Sequence, residues 1–384
     1  MSLFEIPVEE PEEGSIPDDR IQESFDSHNQ FVKYLDTHYH SITSDDLHIV
    51  LGVTGRGEEE ILENLSRLGW ITKSERGEIY RLHNPSDDGD DYVGAYFHFD
   101  SDDGILRFYS NVAKTGGLDK ISRDVQRLNN TSKLYLRPWQ LKELAVQLRE
   151  DSRDDVYASR LIAKRPANSK IESEQESDNK RTINYFGKDT LEVIEDLTDV
   201  YGVLPNIIDL HFPNGTSFSI DTNGVFKLSK GSVSTVFEEV DAVIQETVKI
   251  KDAYAETTAR AIELPGKEET ISQSTPAIIS PGARNKFSEE AIRGLFDEVF
   301  PNNGHSLINP FIEEDAAYYY SNVYNTVHDI QYDIRGDKDQ MRIFPRAEER
   351  ELSTFMSVFE LVQRIADTQA EAESPTINVE VGSE

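Results

Sequence analysis

Apolar positions along this chain follow two periods, and the places where one gives way to the other divide it into elements. Phe31, Val32, Leu35 and Tyr39 recur at the spacing of one helix face. Ser44, followed by Asp45 and Asp46, has the chemistry of an N-cap with acid in the first turn, and predicts a short second helix through Val50. Ile61, Leu62, Leu65 and Leu68 predict a third helix, which Gly69 stops. The period then drops to two: Trp70-Ile71 and Ile79 to Leu82 predict strands about a turn at Ser74 to Gly77.

Further on, a β-hairpin followed by an amphipathic helix recurs three times. The hairpins span residues 93–110, 207–229 and 330–345, with helices near 118–128, 234–248 and 351–366. In the middle copy the turn dipeptides Asn214-Gly215 and Asn223-Gly224 flank the alternating run Ser217-Phe218-Ser219-Ile220. A strand at 182–186 and a helix at 190–201 precede it, completing a β-α-β-β-β-α order. Segments 1–22, 167–180, 264–285 and 367–384 lack any period and are rich in Ser, Glu, Pro or Gly. They predict a disordered acidic arm, two linkers and an acidic tail, because such sequences bury too little surface to offset ordering entropy. Between them the expected fold is a multidomain α+β chain with folded blocks at 25–84, 90–166, 181–260 and 286–366.

Two of these blocks resemble known folds. Three helices followed by a short hairpin over about residues 25–84 resemble a winged helix-turn-helix domain. That resemblance implies a third helix in the DNA major groove, yet here it begins Gly55-Arg56-Gly57-Glu58-Glu59-Glu60, and three glutamates would face phosphate. A protein-binding or structural winged helix fits these residues as well, with Arg56, Arg67, Lys73 and Arg76 the bases placed to touch a nucleic-acid backbone. The order over 181–260 resembles half of a TATA-binding-protein-like fold, in topology alone.

Composition changes the picture through charge. The chain carries 72 Asp and Glu against 39 Lys and Arg, a net charge of -33. At physiological salt, with a screening length of about 8 Å, charge of that size strains a compact fold; molar salt shortens the length to about 3 Å. The pattern resembles cytosolic proteins of halophilic archaea and their viruses, and implies a cytoplasmic protein of a salt-rich cell. The absence of cysteine excludes disulfides, thiolate metal sites and cysteine nucleophiles. The first 17 residues have neither a basic nor an apolar stretch of a secretory signal, and no run approaches the length of a membrane span.

One segment departs from this acidity. Residues 104–170 hold fourteen Lys and Arg against seven Asp and Glu, a local charge of +7. Lys120, Arg123 and Arg127 fall on one face of the expected helix, while Leu118, Ile121, Val125 and Leu128 fall largely on the other. Lys133, Tyr135 and Arg137 alternate with Leu134 and Leu136 on an expected strand, which Pro138-Trp139 ends. Lys114 precedes the helix, and Lys142 follows the strand on another helix; Arg160, Lys164 and Lys170 run toward the linker. A basic helix stripe beside a basic, aromatic-bearing strand suits phosphate contacts with base stacking, so DNA or RNA is one expected partner. The same island could dock an acidic protein, making the chain a scaffold subunit, or pair with the chain's own acid.

Catalytic and metal motifs are lacking. His38 and His40 point apart on a helix, and Asp100, Asp102 and Asp103 before Gly104 lack the later glutamate of a calcium loop and read as a solvated turn. Lys114-Thr115-Gly116 has no accompanying serine motif. Tyr318-Tyr319-Tyr320 reads as strand packing. No cofactor or metal is expected, and the reading is a non-enzymatic binding protein.

Overall fold

The computed structural model describes residues 25–85, 92–112, 117–150, 156–165, 173–175, 180–255, 259–263, 270–282, 286–346, 351–367 and 369–373. The chain divides into two compact units, Met1–Ala167 with Ile171–Thr247, and Asn168–Lys170 with Val248–Glu384. The fold is α+β, as its alternating periods imply.

In the first unit, helix α1 (His28–Ile42) begins where the Ser27 hydroxyl accepts the Gln30 amide at 3.3 Å. The next element corrects the sequence reading. Where the Ser44 cap predicts a helix, strand β1 (Leu47–Thr54) runs through the sheet with all eight residues buried. A strand buried on both faces shows no polar alternation, so Leu-His-Ile-Val-Leu-Gly-Val-Thr is ambiguous as a pattern. Its Gly52 faces a helix so closely that a Cβ would lie 2.9 Å from Val125 Cγ1. Helix α2 (Glu58–Arg67) and strand β3 (Ile79–Pro85) follow as expected, but strand β2 (Ile71–Arg76) continues through Ser74 to Arg76, where a turn is expected, and the chain reverses only at Gly77-Glu78. With a strand in place of its second helix, the three-helix winged-helix arrangement is not formed.

The unit continues through β4 (Tyr92–Asp100), β5 (Ile105–Ser110), α3 (Asp119–Arg127), β6 (Thr131–Lys133), α4 (Pro138–Glu150) and β7 (Tyr157–Arg165). Then come β8 (Arg181–Phe186), α5 (Thr190–Tyr201), β9 (Leu204–His211), β10 (Ser217–Asp221), β11 (Val225–Lys230) and α6 (Val233–Ala255), whose residues from Val248 on belong to the second unit. Eleven strands form one sheet in the order β2-β3-β4-β5-β1-β11-β10-β9-β7-β8, with β6 also paired to β1. Strands from 25–84, 90–166 and 181–260 thus share it. The β-α-β-β-β-α order over 181–260 is present, but β7 lies between β8 and β9, so that segment does not close a sheet alone.

Around β1 the sheet is covered on both sides. Val50, Phe97 and Phe108 pack with Leu65 of α2 and Ile121 and Val125 of α3. On the other side, Tyr109 meets Phe31 of α1, ring centroids 5.2 Å apart, and Phe237 of α6 at 6.4 Å. From β11 to β8 the alternation is cleaner. Leu161, Ile208, Leu210, Phe218, Ile220, Phe226 and Leu228 are buried on one face, and α4 and α5 pack on β7 and β9.

The second unit pairs β12 (Ala259–Glu263) with β13 (Thr270–Ser274), then runs β14 (Ala277–Ser280), α7 (Glu289–Gly294), a π-turn (Leu295–Val299) and α8 (Phe300–Asn302). Strands β15 (His305–Ile312), β16 (Tyr319–Asn325), β17 (Ile330–Asp337) and β18 (Gln340–Pro345), helix α9 (Leu352–Ile365) and β19 (Glu371–Glu373) complete it. Its main sheet has the order β15-β16-β17-β18-β14-β19. Strands β13 and β14 lie in the expected linker 264–285, and β19 in the expected tail. Three- to five-residue strands set among Ser, Pro and Glu carry too few positions to establish a period. In the aromatic run, Tyr319 is fully buried and its neighbours point outward, as strand packing requires.

Candidate nucleic-acid interface

The basic island is built largely into the first unit's own contacts. Ile121 and Val125 bury one face of α3, so Lys120, Arg123 and Arg127 do share the outer one. Lys120 Nζ, however, lies 3.2 Å from the buried carboxylate of Asp124, which also accepts the Trp70 indole N–H at 3.0 Å. Lys133 donates to Ser122 Oγ at 2.7 Å. Strand β6 ends at Lys133, so Tyr135 and Arg137 are not on a strand, and this corrects the expected one over 133–137. The buried side chains there are Leu134 and Leu136, and the Leu134 amide donates to Leu51 O at 2.9 Å.

Arg137 pairs with Glu246 of α6, whose second oxygen takes the Gln140 amide, and Gln140 in turn accepts the Arg137 backbone N–H at 2.9 Å. Lys142 sits over the Trp139 ring at 5.2 Å. Arg123 and Arg127 are exposed, with no ion-pair or hydrogen-bond partner among the described residues. Lys114 lies outside the described residues. Of the secondary bases, Arg56 pairs with Glu60 at 3.3 Å and Arg67 with Glu63 at 2.6 Å, one helical turn apart in each case. Lys73 is exposed on β2, and the Arg76 side chain lies outside the described residues.

The arrangement that the island reading passed over is on β7, beyond its supposed strand. Residues paired across antiparallel strands share a face, and the face opposite α4 and α5 carries Tyr157, Arg160, Phe186, Asp209, His211 and Ser219, none of them buried. Tyr157 stacks on His211 across the strand pair, centroids 4.7 Å apart and rings 12° from parallel. Lys188 Nζ stands 5.0 Å from the same tyrosine ring. A register shift between Ala158 and Arg160 turns Ser159 so that its Oγ lies 2.7 Å from His211 Nε2.

Beyond the shift, Arg160 reaches Asp209 at 3.6 Å, and Asp209 accepts Ser219 Oγ–H at 2.5 Å. The Arg160 guanidinium also lies 5.9 Å from the Phe186 ring, which is 70% exposed on the edge strand. Its Nε is shielded from solvent without an acceptor among the described residues. Planar rings flanked by cations on an uncovered sheet can stack bases and hold phosphates.

This face falls in a recognised span. The AF_0896_M family middle domain matches residues 139–223. An uncharacterized protein of Archaeoglobus fulgidus is 21% identical over 247 residues, 63% of this chain, and the chain spans 65% of that relative's length. No solved structure matches. The matched span runs from α4 to the end of β10 and holds the six open-face residues, while Lys120, Arg123, Arg127, Lys133, Tyr135 and Arg137 lie outside it. The signal for this face was present as polar residues two apart, Asp209 and His211, alternating with buried Ile208 and Leu210.

Proposed function

We propose that this protein binds single-stranded nucleic acid on the open face of its first sheet, as a non-enzymatic factor of a salt-rich archaeal cytosol. The observation that carries the reading is the stacked Tyr157–His211 pair with Lys188 above it, beside Arg160 and the exposed Phe186. Aromatic platforms on open antiparallel sheets take two or three unpaired bases, and four strands from β8 to β10 span about 15 Å at the usual strand spacing. Arg160 and Lys188 supply phosphate contacts, and exposed Arg123 and Arg127 add positive charge on the same unit. In molar salt such contacts weaken, because counterion release contributes less. Stacking, which depends little on salt, then holds the strand.

Fluorescence anisotropy of labelled oligo-dT and oligo-rU, measured over about 0.1 to 2 M KCl, tests this. Each base–aromatic stack contributes about 1–3 kcal/mol, so Tyr157→Ala is expected to weaken binding by about fivefold or more. Absence of binding at every salt concentration, or equal binding by wild type and Tyr157→Ala, removes the proposal.

A further inference from the structure

The second unit presents an uncovered sheet face of its own, with different chemistry. Tyr319, Val323, Tyr332, Ile334, Met341 and Ile343 are buried on the helix side of β16, β17 and β18. The cross-strand pairs Tyr320↔Arg335, Asn322↔Asp333, Asp333↔Phe344 and Arg335↔Arg342 therefore place those side chains on the opposite face. Asp333 is 7% exposed and gathers this face. It accepts from Asn322 at 2.8 Å, from Arg346 Nε at 2.7 Å and from Arg335 at 3.2 Å.

Arg335 also lies 5.0 Å from the Phe344 ring. Arg342 has no ion-pair or hydrogen-bond partner among the described residues. One buried carboxylate thus orders two guanidinium groups whose remaining donors face outward, with a third beside them. In a chain of net charge -33, this face departs from the prevailing acidity: its three arginines lie on and beside β17 and β18, while Glu371 and Glu373 stand apart from them on the far strand β19, across Ile278.

Next to the arginines lies apolar surface. Ile308, Phe311 and Tyr318 are 44%, 51% and 43% exposed on and beside the outer strand β15. Ile308 and Phe311 pair with Asn322 and Tyr320, so they continue the same face. The edge of β15 itself is unsuited to adding another strand, because Asn309 has φ 53°, Pro310 follows it, and the register shifts between Ile308 and Phe311. A partner therefore lies across the face. Arginine and aromatic residues beside solvent-exposed apolar anchors make the composition of a protein-interface core. The Tyr320 and Tyr324 hydroxyls are bonded to Asn322 and Asp329, and the exposed apolar groups of this face, Ile308 and Phe311, call for apolar side chains rather than a phosphate backbone.

We propose that this face docks an acidic segment of a partner protein, whose carboxylates meet Arg335, Arg342 and Arg346 while its apolar side chains cover Ile308 and Phe311. The test uses the full chain and a labelled peptide of about a dozen residues alternating Glu with Leu and Phe. Controls are its Lys-for-Glu counterpart and a single-stranded oligonucleotide. The acidic peptide is expected to bind and the basic one not to. Arg342→Gln and Phe311→Ala should each weaken peptide binding by about fivefold or more, the size of an interface hot spot. The arginine effect should shrink in molar KCl, and the phenylalanine effect persist. Neither variant should alter oligonucleotide binding, so failure here is separable from failure on the first sheet. The proposal is overturned by acidic-peptide binding that is absent or indifferent to both variants, or by oligonucleotide binding that both variants abolish.

Discussion

Lys120 Nζ lies 3.2 Å from Asp124 Oδ2, and Asp124, only 3% exposed, is also the acceptor for the Trp70 indole N–H. A base that looks from sequence like a phosphate contact is therefore the counter-charge of a buried acid. Asp124→Ala strips the indole of its acceptor and is expected to cost about 2–3 kcal/mol, since hydrogen bonds to charged groups contribute about 1.5–3. Lys120→Ala leaves the carboxylate under-compensated and should cost about 1–2 kcal/mol. Urea unfolding followed by tryptophan fluorescence measures both. Oligonucleotide affinity should not change in Lys120→Ala; a loss of affinity at unchanged stability would return Lys120 to the binding surface.

Helix α6 is capped from a distance. The Asp36 carboxylate on α1 accepts the Val233 amide at 2.5 Å and the hydroxyls of Ser232 and Ser234 at 3.0 and 2.6 Å. A carboxylate at a helix N-terminus satisfies free amides and opposes the helix dipole. Asp36→Ala is expected to lower stability by about 2 kcal/mol, and Asp36→Asn by less, because the amide oxygen still accepts. Thermal unfolding followed by circular dichroism would show this order; an Asn variant as damaged as the Ala variant would mean that charge, not acceptance, dominates.

These two contacts mark the limit of what the sequence discloses. Local signals transferred well: the apolar spacing of Ile61 and Leu65 became α2, and Asn223-Gly224 became a hairpin turn with Gly224 at φ 67°. Elements whose character comes from distant partners did not. β1 reads as an ambiguous apolar run because the helices that bury its two faces, α2 and α3 on one and α1 and α6 on the other, come from distant parts of the chain, and only their packing explains why no face is polar. The charge island was legible as charge, but whether a lysine faces solvent or a buried Asp124 depends on packing. The open face was hidden for the same reason, since Tyr157 and His211 meet only when β7 and β9 pair.

Histidines in the first unit make its stability depend on pH. His28 and His98 stack at 4.3 Å, His28 Nε2 lies 2.5 Å from the Tyr109 hydroxyl, and Arg107 approaches His98 Nδ1 at 3.1 Å. Burial, reinforced by the Arg107 charge, lowers His28 to about 2 and His98 to about 4, with Asp100 opposing slightly at His98. Both fall below the unfolded value near 6.5, so the unfolded chain takes up more protons in acid. The stability is complete above about pH 6.5 and is lost as pH falls toward 4 and below, by up to about 1.4 kcal/mol per pH unit for each ring. Urea midpoints at pH 7.5 and 5.5 should differ, and His98→Gln should reduce the difference; an unchanged slope would place the acid sensitivity elsewhere.

Salt should act in opposite directions on folding and on binding. With a net charge of -33, raising KCl from about 0.1 to 1 M shortens the screening length from about 10 to 3 Å and relieves self-repulsion. A gain of about 2–3 kcal/mol would raise the Tm by roughly 5–10 °C for units of this size. Sucrose, which does not screen charge, serves as the control, and a rise equal to that in KCl would remove repulsion as the cause. Under the proposed function, binding of a single strand should lose affinity over the same range, each phosphate contact adding about -0.7 to the slope of log K on log salt. On that proposal the cations contribute least where the protein is most stable, and the stacked pair Tyr157–His211 is expected to carry the remaining affinity. The penalty for Arg160→Ala should accordingly fall between low and molar salt while that for Tyr157→Ala stays level. If both fall together, the strand is held by charge alone and the ring pair is a structural contact between β7 and β9.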